Sequence, residues 1–236
     1  MTTAGTLFIV ATPLGNLGDM TYRAVETLRG VDVIACEDTR TSQTLLSHFD
    51  IHKPLVSYHN FNEHKITEKL IKRLQGGENI ALISDAGTPS ISDPGFVIVR
   101  EAVAQEIAVV PIPGASAVIT ALAISGLATD AFIFYGFLPR TPGKRRNVIE
   151  SLAERRETLI FYESPFKIHK LIDLLNEILG NRRAVLCREL TKKFEEIMRE
   201  DLGSLRERIT GKALKGEITI VIEGKTRKSE RNEEPA

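Results

Sequence analysis

Apolar and polar residues follow each other along this chain in blocks of two lengths. Short runs such as Leu7 to Ala11 (LFIVA), Val31 to Cys36 (VDVIAC) and Ala81 to Ile83 (ALI) read as strands buried on both faces. Longer stretches carry a single apolar face. Residues 66, 70, 71 and 74 lie on one side of a helix that Gly76-Gly77 ends. The same reading places further strands at 55–58, 107–111, 131–136, 158–162, 184–187 and 218–222. Helices are predicted from Thr21 to Leu28, over 41–49 and 96–104, after Ala117, over 144–153, up to Leu179, and over 203–209. Strands alternating with helices at this spacing predict an α/β fold whose first half is a mostly parallel sheet covered on both faces. Around Ser125 to Asp130 the pattern resets, which predicts a boundary near 114–118. The expected organisation is an N-terminal α/β domain at 1–115 and a C-terminal α/β domain at 116–225. The charged stretch 226–236, with no apolar run, is expected to be disordered.

Composition narrows the partners. A chain of 236 residues buries a substantial core, and its 31 Lys plus Arg balance 31 Asp plus Glu. Any polyanion must therefore be held by a local patch. Cys36 and Cys187 each sit in an apolar strand-like run and read as buried thiols of a reducing compartment. No signal peptide opens the chain and no apolar run approaches the roughly 20 residues of a membrane span, so a cytoplasmic protein is expected.

The stretch ALISDAGTPSISDPG, Ala81 to Gly95, is the centre of the candidate chemistry. A buried strand gives way abruptly to small, polar and backbone-special residues. In an open α/β sheet, ligands sit outside the carboxyl ends of strands. Four loops follow strands in the first half, at 12–19, 37–40, 59–64 and 84–95, and converge at that edge. Gly87 allows close backbone approach and Asp85 can accept hydrogen bonds, although Asp85, Ser90 and Asp93 also suit plain turns and caps. There is no Gly-x-x-x-x-Gly-Lys-Ser/Thr loop, no Gly-x-Gly-x-x-Gly after the first strand and no Gly-x-Ser-x-Gly elbow. His48, His52, His59, His64 and His169 lack metal-ligand spacing, so no metal site is expected.

TPLGNLGD, CEDTR, SDAGTPSISDPG, PIPGASA and GFLPR, in this order, resemble the tetrapyrrole methylase fold family of S-adenosylmethionine-dependent enzymes. EDTR, SYHNFNEH and FYESPFK resemble in particular the branch that methylates a cytidine 2′-hydroxyl in the decoding region of 16S ribosomal RNA. The resemblance extends from about Leu7 to Gly224 and implies two α/β domains, a cofactor cleft between them, and a homodimer. It assigns S-adenosylmethionine to Pro13, Leu14 and Gly15, to Asp85, Ala86, Gly87, Ser90 and Ile91, and to Ser116 and Ala117. Phe137, Leu138, Gly216 and Glu217 are assigned to the second-domain side. Many members of that branch carry a basic helical extension after the last strand, whereas here about a dozen residues follow Gly224.

A ribose hydroxyl is a poor nucleophile, so a base or a cation favouring the alkoxide helps. Glu37, Asp38, Arg40, Glu163 and Lys167 are the candidates, with Lys167 or Arg40 expected at the developing oxyanion and the Glu37-Asp38 pair as acceptor or orienter. A helix cap with a surface ion pair is the competing reading for Glu37, Asp38 and Arg40. Lys144-Arg145-Arg146, Arg155-Arg156 and Lys192-Lys193 are candidate phosphate contacts, and Tyr58, His59 and Phe61 candidate base-stacking residues. Tyr58 as a core residue and Phe61 as a hydrophobic staple are equally open. A C-methyltransferase of a tetrapyrrole or another small molecule, and a non-catalytic RNA-binding factor, are the alternatives.

Overall fold

The computed structural model describes residues 4–226, so all but the first residue of the stretch expected to be disordered lies outside the described residues. The chain divides into two compact units that meet between Ser116 and Ala117.

The first unit holds strands β1 (Leu7–Val10), β2 (Val33–Cys36), β3 (Leu55–Ser57), β4 (Ile80–Ile83) and β5 (Val109–Ile112) in the order β3-β2-β4-β1-β5. Every neighbouring pair is parallel. Between the strands run α1 (Tyr22–Gly30), α2 (Thr39–His48), α3 (Glu63–Gln75) and α4 (Phe96–Ala104). Successive strand residues point to opposite faces, and both faces are covered. Val33, Ala35, Ile80 and Leu82 join Leu70, Leu74, Ile98 and Ala102 from α3 and α4 in one core. Ile34, Cys36, Ala81 and Ile83 join Ala24, Leu28 and Leu46 from α1 and α2 in another. This two-sided burial is why the strands read as unbroken apolar runs.

The second unit opens with α5 (Ala117–Ser125) and continues with β6 (Phe132–Phe137), α6 (Pro142–Leu152), β7 (Thr158–Glu163), α7 (Ile168–Leu179), β8 (Arg183–Arg188), β9 (Glu196–Asp201), α8 (Leu202–Ile209) and β10 (Ile218–Ile222). Its sheet runs β6-β7-β10-β8-β9 and is mixed. β6 and β7 are parallel, while β10 is antiparallel to both β7 and β8, and β8 is antiparallel to β9. Leu171, Ile172 and Leu175 of α7 and Leu202, Leu205 and Ile209 of α8 share one core with Phe161, Leu186 and Ile220 of the strands.

β9 is the one strand absent from the sequence reading. Its sequence, EIMRED, is charged because it is an edge strand, where exposed charges discourage further pairing, and only Met198 is fully buried. Several helices also start earlier than the apolar pattern suggests. Asp38 caps α2 by accepting the Arg40 N–H, which pulls the start back to Thr39, and Pro142 pre-sets the first turn of α6.

Candidate active site

β1 and β4 lie side by side, and the chain leaves them in opposite directions. After β1 it turns to α1 on one face of the sheet, and after β4 to α4 on the other. Such a reversal opens a crevice at the carboxyl ends of the two strands, the place where open α/β sheets hold ligands. The two loops are joined across it. Thr12 N–H donates to the Gly87 carbonyl at 2.8 Å and Gly87 N–H returns a bond to Thr12 at 3.0 Å. The buried Thr12 hydroxyl donates to the Ser84 carbonyl at 3.1 Å. Gly87 has φ +79°, and a Cβ there would stand 3.3 Å from Leu14 Cδ2. Glycine therefore serves both the backbone conformation and the close approach of Leu14.

Two further segments are tied to the same crevice. Thr88 Oγ1 donates to the Ala115 carbonyl at 3.1 Å, which holds the Pro113–Ser116 segment beside the Asp85–Thr88 loop. A Cβ at Gly114 would come within 3.0 Å of Ala11 Cβ, so this approach also needs glycine. Asp38 N–H donates to Asp85 Oδ1 at 3.2 Å, joining the loop after β2 to the loop after β4.

The expected cofactor residues of this unit are thus brought together, with differences among them. Pro13 and Leu14 are buried and form the floor, while Gly15, Asp85 and Ile91 face solvent. Ala86 and Ser116 are half-buried, as is Ala117, the first residue of α5 in the second unit. Ser90 has φ +71°, and its buried Oγ makes no hydrogen bond; it occupies the space that a Cβ on Gly95 would need.

The carboxylates differ sharply. Asp38 accepts the Arg40 backbone N–H at 2.8 Å, and Arg40 Nη2 stands 2.9 Å from its Oδ2. These bonds hold the Asp38 carboxyl down at about 2. The Arg40 guanidinium is in turn raised by Asp38. Glu37 goes the other way. Burial raises its pKa, the negative charge of Asp85 adds to this, His59 opposes it, and Asp38 adds a smaller upward push. Of the pair, Glu37 is the group suited to accept a proton, and Asp38 is the helix cap.

The turn after β3 corrects one expectation. Tyr58 is fully buried with its hydroxyl 3.1 Å from Thr67 Oγ1, so it belongs to the core and is no stacking platform. Phe61 is 98% exposed. Asn62 Oδ1 accepts the His59 N–H at 2.9 Å, and Asn62 Nδ2 donates to the Ser57 carbonyl at 3.1 Å, closing the turn that presents it.

In the second unit, Glu163 at the end of β7 is buried. Arg145 Nη1 stands 2.7 Å from Glu163 Oε2, and Ser164 N–H donates to Oε1 at 2.8 Å. Arg145 Nε also donates to the Pro139 carbonyl at 3.3 Å. Two sequence readings are corrected here. Arg145 is a buried counter-ion and no part of a surface phosphate cluster, and Glu163 turns its carboxylate into the core. The sequence offered no sign of this, because the pairing depends on which way two side chains point across a helix and a strand. Arg146 is paired with Glu150 and Glu177, and Lys192 bridges Glu189 and Glu217 at 3.1 and 3.0 Å, so each has two carboxylates as counter-ions. Arg155 and Arg156 are exposed, and Lys193 lies over the Phe194 ring.

Lys167 is exposed at the N-terminal cap of α7, with its N–H donating to the Ser164 carbonyl at 2.9 Å. Phe137 is exposed, whereas Leu138 is buried in the core and offers a ligand only its backbone. Gly216 and Glu217 form an exposed turn fastened by the Glu217 N–H to Glu189 Oε1 at 2.9 Å.

The sequence model of the tetrapyrrole (corrin/porphyrin) methylases matches residues 6–206. The chain belongs to this family. Among its relatives, a protein of Halalkalibacterium halodurans named ribosomal RNA small subunit methyltransferase I is 49% identical over 229 residues, spanning 97% of this chain and 79% of the relative. A Haemophilus influenzae protein of the same name is 49% identical over 233 residues, spanning 98% of this chain and 82% of the relative. Solved structures share the tetrapyrrole methylase fold at low identity. Diphthine synthase superposes with a TM-score of 0.70 at 16% identity, over 97% of this chain and 94% of that one. A cobalt precorrin-4 methyltransferase gives 0.68 at 16%, over 92% and 94%. At these identities the likeness is one of fold.

Proposed function

We propose that this protein is an S-adenosylmethionine-dependent 2′-O-ribose methyltransferase acting on a cytidine in the decoding region of 16S ribosomal RNA. The observation that carries the reading is the near-50% identity, over almost the whole chain, to proteins named as small-subunit ribosomal RNA methyltransferases. The tetrapyrrole alternative has fold likeness on its side, at 15–20% identity.

The crevice at β1 and β4 fits the cofactor by the chemistry of its donors. Asp85 presents an exposed carboxylate for hydroxyl or amino groups and Ile91 an exposed apolar side chain for a flat base, while Gly87 and Gly114 let their segments pack closely on Leu14 and Ala11. Pro13, Leu14 and Gly15 supply the floor and rim, and Ala86, Ser116 and Ala117 are the remaining backbone candidates. For Phe137, Leu138, Gly216 and Glu217 the assignment rests on the family resemblance alone, whereas the domain division at 115 and 116 is drawn from the reset of the sequence pattern. When bound, the sulfonium of S-adenosylmethionine makes a methyl group electrophilic without further activation.

The chain's own task is to hold the ribose hydroxyl in line and to take its proton. Glu37 is the acceptor in this reading, since burial keeps its affinity for a proton above that of an ordinary carboxylate. Asp38 fixes the start of α2 and holds Arg40, whose guanidinium faces solvent beside it. Lys167 is the cation assigned to the developing oxyanion, with Arg40 as the alternative. We place the enzyme in the cytoplasm and as a homodimer. Exposed Phe96 and Val103 on one face of α4 support a self-association surface. Sedimentation tests the dimer.

The direct test is transfer of labelled methyl to small ribosomal subunits from cells lacking this protein, followed by mapping of alkali-resistant linkages. One resistant position is the expected result. Tight cofactor binding without any incorporation into RNA would redirect the reading to a small-molecule acceptor.

A further inference from the structure

An open groove of about 870 Å³ lies along α2 beside the start of β3, in the first unit, with Leu55 among its lining. One wall is a single face of the helix, where Arg40, Gln43, Thr44 and Ser47 recur at helical spacing. Lys53 forms the opposite wall. The lining holds two cations, an amide and hydroxyls, with no carboxylate. The two nearest acids in sequence are engaged: Asp38 with Arg40 at 2.9 Å, and Asp50 with His52 at 2.8 Å.

Lys53 is the informative residue. Its side chain is half-buried, and among the described residues it has no carboxylate within ion-pair distance. An ammonium without a counter-ion leaves its charge available to an incoming anion. Arg40 keeps donors beyond those spent on Asp38, since a guanidinium carries five. From Arg40 to Ser47 the helix rises about 10 Å, a length that more than one anionic group can span.

The groove also has a direction. Its Arg40 end is two residues from Asp38, whose N–H is bonded to Asp85 at the crevice. A strand lying along α2 would thus arrive at the loops that hold the candidate chemistry. From these observations we infer that the α2 groove binds the sugar-phosphate backbone of single-stranded RNA next to the modified nucleotide, with Lys53 and Arg40 on phosphates and Gln43, Thr44 and Ser47 on sugar or phosphate oxygens. This inference rests on the RNA reading above and adds the place where the substrate strand is held. It also explains how a chain with equal numbers of positive and negative residues engages a polyanion. The contacts are local, and Arg146, Lys192, Arg206 and Arg208 are paired internally.

The test compares wild type with Lys53→Met, Lys53→Glu and Thr44→Glu on protein-free small-subunit RNA and on intact subunits, across a salt series. Binding of labelled S-adenosylmethionine and the thermal midpoint serve as folding controls and are expected to stay unchanged. Loss of one phosphate contact should make the slope of log affinity against log salt shallower by about 0.7 for Lys53→Met. Affinity for RNA should fall about threefold in that variant and about tenfold in Lys53→Glu, with KM raised and kcat retained. Slopes and KM equal to wild type in all three variants would overturn the groove while leaving the RNA reading intact. A defect seen only with intact subunits would put a ribosomal protein in the groove and overturn the phosphate assignment. If wild type itself neither binds nor methylates either RNA substrate, the RNA reading fails and the groove's occupant with it.

Discussion

Glu37 and Glu163 occupy matching places in their two units. Each lies at the carboxyl end of a buried strand, β2 or β7, and each opens a polar loop that leads into a helix. Their surroundings make them opposite kinds of group. Glu163 is 4% exposed, with the Arg145 guanidinium against it and a backbone N–H on its other oxygen. Glu37 is half-buried beside Asp85 and Asp38, so burial and like charge favour its protonated form. A carboxylate at a strand end is therefore a structural buckle or a proton acceptor according to its neighbours.

Removing the partner of Glu163 should have the largest effect. Arg145→Met leaves a buried carboxylate without its cation and is expected to cost about 3–5 kcal/mol in urea denaturation. The double variant Arg145→Met/Glu163→Leu should recover most of that, because apolar replacements of both partners also remove the desolvation cost. If the double variant is no more stable than the single, the pair is not the source of the loss.

Glu37→Gln should do the reverse. Turnover is expected to fall about 10²- to 10⁴-fold, the usual range for a lost general base, with cofactor affinity retained. Its folded pKa lies above the ordinary 4.5, so the folded state holds the proton more tightly than the unfolded state does. Wild-type stability is therefore favoured by this group below 4.5 and loses that contribution as pH rises through the folded value. Glu37→Gln should accordingly gain on wild type toward neutral pH and match it in acid. Unaltered turnover would remove Glu37 from the chemistry.

Gly87→Ala probes the crevice itself. A side chain at φ +79° against Leu14 should destabilise by about 1–2 kcal/mol and weaken cofactor binding, measurable by calorimetry. The smallest effect concerns Asp38. Its carboxyl resonance should titrate at about 2 in wild type and move up toward 3.8 in Arg40→Ala. The associated stability is present above 3.8 and lost as pH falls through about 2, so Arg40→Ala should fall slightly below wild type at neutral pH, the exposed pair being screened by solvent, and match it in strong acid.

The first unit was the more legible half. Strands buried on both faces show as uninterrupted apolar runs, and loops that approach one another closely show as glycine, proline and small residues, so β1, β2, β4 and the Asp85–Gly87 loop could be read directly. β9 could not, because an edge strand keeps its charges and gets its hydrogen bonds from β8. Thr12, Thr88 and Asn62, which fasten the loops, carry no local mark, since their partners lie elsewhere in the chain or on backbone carbonyls.

What this sequence determined by itself was the alternation of elements and the loops that carry special backbone, because periodicity and glycine act over a few residues. Which charged side chains face a partner, a core or open water was decided only by the tertiary structure. Arg145 and Arg146 are neighbours in sequence, yet one is buried against Glu163 and the other lies at the surface with Glu150 and Glu177. Lys53, with nothing in its local sequence to set it apart, lines a groove free of carboxylates. Charge acts through space, over distances that sequence order does not record, and so its role emerges only when the elements pack.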